Sequence, residues 1–264
     1  MHLICEHPGW QTNETGRRRT VLTATDVWLA LAGEKITTTR ISGGSGPGPS
    51  VDLYDPADLS DRTPSELRST LVGQGPVQRL RNPDLWDALA TAIIRQVIRA
   101  DQARLMYQRV SKAFGAPAEE GPHPFPTPRT VLALRESDFA ELGMKFKARP
   151  LTAAAQAFIE LGDRWAELPP EDLVAEVQAV PRIGPWTAGA ALADYTGDFS
   201  FYPYGDMAVR KWAADSVPGF NWPTDELSFA RLWRTFVTTS SELSTLTVLT
   251  LALGGPRGQD QPPS

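Results

Sequence analysis

The sequence holds one cysteine, Cys5, and three histidines, His2, His7 and His123, among 264 residues. A single thiol rules out an internal disulfide framework, a cysteine-rich zinc site and a four-cysteine iron–sulfur cluster, and the histidines are too scattered to suggest a metal site. No apolar run approaches the ~18 residues of a membrane-spanning helix. Residues 1–10 mix His, Glu and Pro where a signal peptide needs an apolar core, so a soluble, cytoplasmic protein is expected. Positive charge is not in excess either: 26 Lys and Arg stand against 31 Asp and Glu, a net charge of −5. Any contact with a polyanion must therefore come from a local patch rather than from bulk charge.

What is present is ordinary globular material, 41% apolar and 22% charged. Its texture changes near Gly73–Pro76. Before that break, residues 20–23, 27–32 and 35–41 are rich in Val, Ile, Thr and Trp and read as strands, with a hairpin loop at 32–34. Residues 42–50, Ser-Gly-Gly-Ser-Gly-Pro-Gly-Pro-Ser, read as a flexible loop, and 51–54 as a further strand. From Asn82 onward the period becomes helical. Asn82-Pro83 supplies a cap and a first-turn proline, and Leu85, Trp86, Leu89, Ile93 and Ile94 fall at helical spacing. Further helices are expected over 101–114, 128–135, 137–142, 151–161, 170–179, 185–195, 206–215, 224–237 and 242–253, with a proline-rich loop at 116–126. The expectation is an α+β protein: a small antiparallel β-rich domain over 1–75, a mostly helical region over 76–254, and a frayed tail over 255–264.

One segment carries chemistry. Val180-Pro181-Arg182-Ile183-Gly184-Pro185-Trp186-Thr187-Ala188 joins an amphipathic helix to a helix of small residues. A tight hairpin ending in glycine, with proline in the next first turn, leaves backbone N–H groups at a helix N-terminus, where a phosphate can bind. Twenty residues after Trp186, Tyr202-Pro203-Tyr204-Gly205-Asp206 sets a carboxylate at a helix start. Upstream, Asp87-Ala88-Leu89-Ala90-Thr91-Ala92-Ile93-Ile94-Arg95-Gln96-Val97 forms an apolar helix that ends in a polar turn.

These three motifs, in this order, resemble the helix–hairpin–helix DNA glycosylase superfamily and, within it, the alkylpurine branch. The likeness is best over residues 79–211. It implies a mostly helical glycosylase core behind a small sheet domain, duplex DNA as partner, a monomer, and hydrolysis of the N-glycosidic bond of an extruded base. Asp206 is the implied catalytic carboxylate, although an aspartate there is also a favoured N-cap. Trp186, Tyr202, Tyr204 and Ala190 are the implied base pocket. Trp186 is either a stacking wall or a core residue, and Ala190 stands where relatives carry a second aromatic.

The implied DNA contacts are Arg182, Ile183, Gly184 and Thr187 of the hairpin, Arg95, Gln96, Val97 and Arg99 of the early helix and its turn, and Arg210 and Lys211 beyond Asp206. Gln96 or Val97 would plug the vacated stack, unless Val97 and Ile98 complete the helix's core face. Arg182 replaces the hairpin's usual first glycine, so either its backbone is strained or the turn differs. Bifunctional relatives place a Schiff-base lysine where this chain has Trp186, and Lys211 starts from the wrong helix, so no lyase activity is expected. No cofactor or iron–sulfur cluster is implied. A structural cation held by the carbonyls of Gln178, Val180 and Ile183 is compatible with the family pattern. Two alternatives stay open: a specialised glycosylase for a bulky or hypermodified base, serving self-protection or defence, and a DNA-binding module without catalysis.

Overall fold

The computed structural model describes residues 1–14 and 16–255. Most of the expected tail, residues 256–264, lies outside them. In chain order the elements are β1 (His2–Ile4), β2 (Gln11–Asn13), β3 (Gly16–Leu22), β4 (Asp26–Ala32), β5 (Ile36–Gly43), β6 (Val51–Tyr54), α1 (Ser65–Gln74), β7 (Val77–Leu80), α2 (Leu85–Arg95), α3 (Ala100–Phe114) and α4 (Pro128–Ala133). They continue with α5 (Glu136–Glu141), α6 (Lys145–Glu167), α7 (Pro170–Gln178), α8 (Pro185–Thr196), α9 (Met207–Ser216), α10 (Glu226–Thr235) and α11 (Ser240–Ala252). The fold is α+β, as the sequence pattern predicts.

The packing divides the chain into two compact units that do not follow the expected linear boundary at residue 75. One comprises Met1–Glu6, Asp52–Arg79 and the chain from Asp198; the other comprises His7–Val51 and Leu80–Gly197. In the first unit β1 and β7 pair in parallel, His2 opposite Val77, within a three-stranded sheet of order β1-β7-β6. Its central helix is α11, buried from Leu243 to Thr250 and packed against α9 and β1. Phe220, Trp222, Phe229, Trp233 and Phe236 form an aromatic cluster around α10. Helix α1, which the strand-rich reading of this region did not anticipate, buries Leu67 and Leu71, four residues apart and so on one face.

In the second unit β2-β3-β4-β5 is an antiparallel meander. Helix α2 is buried from Leu85 to Ile94 and packs against α8, α6 and α3. Gly189, Ala190, Ala191 and Ala193 are buried small residues of α8, the helix that packs against α2. The α2 cap is Asp84, which accepts from Trp86 N–H at 2.9 Å, and not Asn82. The chain therefore enters α2 at Leu85, two residues later than a cap at Asn82 would give. Asn82 is instead fully buried and donates to Asp87 (3.0 Å) and Asp194 (2.9 Å).

That asparagine belongs to a buried polar cluster holding the meander to the helices. Arg19 of β3 donates to Asp87 Oδ2 at 2.8 Å, and the Tyr107 hydroxyl donates to Oδ1 at 2.6 Å. Gly9 N–H donates to His7 Nδ1 at 3.0 Å, which puts a neutral imidazole's proton on Nε2, 3.3 Å from Asp87 Oδ2. Burial alone would raise the Asp87 carboxyl, but His7, Arg19 and Tyr107 together hold it below the usual carboxylate range. His7 is itself pushed down, first by burial and then by the Arg19 charge.

Candidate DNA-facing hairpin and reactive carboxylate

In the second unit, α7 ends at Gln178 and the chain turns through Ala179–Gly184 into α8. Val180 N–H donates to Val177 O (3.2 Å) and Ile183 N–H to Val180 O (3.0 Å), which closes the turn. Arg182 completes it with φ +71°, so the residue standing for the usual glycine adopts the left-handed backbone itself. That conformation costs an L residue about 1–2 kcal/mol. Its side chain is exposed. Gly184 caps α8 with an extended backbone, φ −86° and ψ 175°, and a Cβ added there would meet nothing within 4 Å. Neither its conformation nor its neighbours demand glycine. The N–H groups of Gly184, Trp186 and Thr187 find no backbone acceptor among the described residues and crown the positive end of α8.

The turn after α2 lies beside this hairpin. Gln96 Nε2 donates to Thr187 Oγ1 (2.6 Å) and Arg182 O (3.4 Å). Val97 is fully exposed and has φ +59°; with Arg182 it is one of two non-glycine residues at positive φ among those described. A β-branched residue in that region is a genuine outlier. Val97 therefore does not complete a core face. The Gln96 amide is engaged by the hairpin and braces it.

Other expected contacts divide similarly. Arg95 is half-exposed without an ion-pair partner among the described residues, and Arg99 is 76% exposed beside Asp101. Thr187 and Ile183 are buried, so their side chains serve the hairpin's interior. Trp186 is half-buried, with neither a ring nor a hydrogen-bond partner among the described residues. Ala190 is buried.

In the first unit, Asp206 heads α9. Its carboxylate makes no capping bond; it accepts from the Tyr202 hydroxyl at 3.1 Å through Oδ2, while Oδ1 has no partner among the described residues. Tyr202 is buried and stacked on Phe199, centroids 5.7 Å apart, and the Arg79 guanidinium lies 4.7 Å over that Phe199 ring. Its place is thus behind the carboxylate, holding it, and not on an open pocket wall. Tyr204 is half-exposed. Gly205 lets the turn approach α10: a Cβ there would sit 2.8 Å from the Glu226 carbonyl.

Arg210 donates to Gly205 O (2.9 Å) and to Thr224 O, bracing the same turn from behind. Lys211 pairs with Asp215 and lies 3.9 Å over the Trp212 ring. Both of these expected DNA contacts are engaged within their own unit. Residue spacing gives no sign of the Tyr202–Asp206 bond or of the Arg210 brace, because both form in the irregular turn that precedes α9.

Nothing in the residues around Lys147 signals its bonds to the end of α2. Its ammonium, at the first turn of α6, donates to Ile93 O at 2.8 Å and Gln96 O at 2.7 Å. Burial lowers its pKa to about 8.

Compared by sequence, the chain matches no family model and no curated protein. Compared by structure, it shares its fold with DNA glycosylases. A 3-methyladenine DNA-glycosylase from Archaeoglobus fulgidus superposes with a TM-score of 0.70 and 17% identity, covering 93% of this chain and 89% of that one. The 8-oxoguanine glycosylase/lyase of Clostridium acetobutylicum gives 0.65 and 17% over 93% and 89%. The Schizosaccharomyces pombe 3-methyladenine DNA glycosylase, solved with abasic DNA, gives 0.52 and 16% over 63% of this chain and 81% of that one.

Proposed function

We propose that this protein is a monofunctional DNA glycosylase of the alkylpurine type, acting as a monomer on duplex DNA without an organic cofactor. The observation that carries the reading is Asp206: it occupies a helix N-terminus without capping it, and is held by one tyrosine with Oδ1 left open. An aspartate placed only to cap would direct an oxygen at the N–H of the second or third helical residue.

The second unit supplies the grip. The uncapped N–H groups of α8 and the Arg182 guanidinium bind phosphate, Arg95 and Arg99 add local positive charge, and Val97 enters the stack. Phosphate contacts of this kind position the duplex without reading sequence. The first unit supplies the carboxylate. As the C1′–N bond of the extruded nucleotide breaks, the electron pair leaves with the base and positive charge develops on the sugar. Asp206 Oδ2, held by Tyr202, stabilises that charge, and Oδ1 orients a water whose oxygen bonds to C1′. The proton released by that water passes to the carboxylate and on to solvent or the departing base.

Trp186 in place of a Schiff-base lysine leaves no amine at that position, which supports base release without strand cleavage. The hairpin also offers carbonyls to a cation. Val180 O already accepts the Ile183 N–H, and Gln178 and Ile183 would supply the remaining donors. Such an ion would hold the turn against phosphate. Ala190, small where an aromatic is usual, supports a second reading in which the base is bulkier than a methylpurine.

The test is a screen of alkylated, oxidised and hypermodified duplexes for bases released by the purified protein. The expectation is a free base and an intact abasic strand with wild type, and none with Asp206→Asn. Equal release by the variant removes Asp206 from the chemistry.

A further inference from the structure

Resting on the base-excision reading, we propose that Lys147 is a positioning residue for the side chain that enters the duplex, holding the turn after α2 so that Val97 stands out into solvent.

The argument begins with an unusual helix end. The last carbonyls of a helix need partners, and the common solution is a glycine in left-handed backbone just past the end. Here that place is taken by Val97, a β-branched residue at φ +59° whose side chain touches nothing and gains no packing in exchange. Strain of this kind persists only where surrounding structure over-determines it. Gln96 N–H closes a tight turn on Ile93 O at 3.3 Å, a weak bond by itself.

Lys147 provides the constraint. The Gln96 carbonyl belongs to the peptide that leads into Val97, so the 2.7 Å bond from Nζ fixes the plane from which the Val97 φ is measured. The second bond, to Ile93 O, ties the same ammonium to the preceding turn. A buried lysine is rare unless its charge is answered, and the negative end of α2 answers it. Lys147 is 3% exposed, and the cost of that burial appears as its lowered pKa. From the other side, the Gln96 amide is anchored on Thr187 and Arg182 of the hairpin. The peptide before Val97 is therefore gripped at its carbonyl by α6, while the side chain of the same residue is gripped by the hairpin. Without the lysine, the 96–97 peptide is free to rotate, Val97 relaxes to ordinary negative φ, and its side chain swings away.

The test uses a duplex with a tetrahydrofuran abasic-site analogue flanked by 2-aminopurine, whose fluorescence reports a side chain entering the vacated stack whatever base the enzyme prefers. Wild type is expected to change the 2-aminopurine signal on binding. Lys147→Met is expected to lose most of that change and to bind this duplex about tenfold more weakly, the equivalent of releasing one left-handed residue. Lys147→Arg, which keeps the charge and the donors, restores at least half of the signal. In a Val97→Gly background the Lys147→Met change has little further effect on either readout, because glycine needs no constraint and presents no side chain.

Several results would overturn the proposal. They are an unchanged fluorescence response in Lys147→Met, losses that add fully with those of Val97→Gly, or a Lys147→Met protein that is unfolded in thermal melts while Lys147→Arg folds normally and also lacks the signal. If wild type binds the duplex and gives the signal but the base screen releases nothing, the glycosylase reading fails while the positioning role stands. If wild type gives no signal, the positioning role falls whatever the screen shows.

Discussion

Asp87 and Asp206 are both aspartates near the start of a helix, one in each unit, and their surroundings are opposite. Asp87 is surrounded: Arg19, Asn82, Tyr107 and His7 direct hydrogen at its two oxygens, and its carboxyl is held in the charged form. Asp206 receives one hydrogen bond among the described residues, from Tyr202, and is half-exposed. A carboxylate that accepts on both oxygens from buried donors is a structural fastener, because its charge is already answered within the fold. One held by a single donor keeps its orientation and leaves its charge available. An aspartate in or just before a first helical turn does not by itself tell the two roles apart; the number of donors does.

The sharpest way to break this contrast is to remove the fastener. Asp87→Ala leaves the Arg19 guanidinium buried without its anion, and breaking a buried pair in this way costs about 3–5 kcal/mol. Against a typical total of about 5–15 kcal/mol, denaturant unfolding is expected to show a protein near the edge of folding. A loss below ~1 kcal/mol would mean that water replaces the carboxylate and the cluster is not a fastener.

Asp206 is expected to invert the pattern. Asp206→Asn keeps the fold and lowers base release by on the order of a hundredfold or more, the effect of deleting one preorganised electrostatic contact in a transition state. Duplex binding survives. Tyr202→Phe, which removes only the positioning hydroxyl, is expected to reduce release by about tenfold, the low end of the ~1.5–3 kcal/mol that a hydrogen bond to a charged group contributes. A Tyr202→Phe loss as large as that of Asp206→Asn would make the tyrosine a participant rather than a holder.

The hairpin offers a milder version of the same test. Gly184 sits in extended backbone with open space around its Cβ position, so Gly184→Val is expected to leave thermal stability within about 0.5 kcal/mol of wild type. Duplex affinity is expected to drop on the order of tenfold, with a shallower dependence on salt as phosphate contacts are lost. A variant that melts early while binding DNA normally would place the glycine in the fold's service.

How much of this was legible in the sequence follows from the range of each interaction. Strands β4 and β5 of the meander, the helix starts at Pro128, Pro170 and Pro185, and the hairpin itself are written in neighbouring residues, where proline, glycine and apolar period act within one turn; β2 and the first half of β3, polar in sequence, are not. The interleaved units are not. His2 pairs opposite Val77, and the first residues share a unit with the chain from Asp198, so no linear boundary near residue 75 could describe the packing. Asn82 carried the signal of a cap, yet its partners Asp87 and Asp194, the latter 112 residues away, make it part of a buried cluster. The candidate site was legible as motifs and not as bonds: Lys147 meets Ile93 across 54 residues, and Gln96 meets Thr187 across 91. A left-handed Arg182 was one of two outcomes the missing glycine allowed; nothing local pointed to Val97 sharing it.

Asp84 supplies the smallest effect and a third kind of carboxylate, neither saturated nor open. Burial raises its pKa first, the neighbouring Asp87 charge adds to that, and the Trp86 N–H it accepts does not offset them, leaving it at about 7. Its folded pKa thus lies above the ordinary carboxylate value of about 4, and between those limits the folded chain holds a proton that the unfolded chain releases. The stability this provides is present below about pH 4 and is lost as pH rises through 7. Asp84→Asn keeps an oxygen to cap α2 and cannot ionise. Its melting temperature is therefore expected to match wild type near pH 3–4 and to exceed it by several degrees at pH 8, the difference opening between pH 4 and 7 and levelling off above. His7, whose lowered pKa acts in the opposite sense near its ordinary value of about 6.5, is common to both proteins and largely cancels in the difference. A difference that stays flat across this range would mean that Asp84 is ionised alongside Asp87 throughout, so that the fastener tolerates a second negative charge beside it.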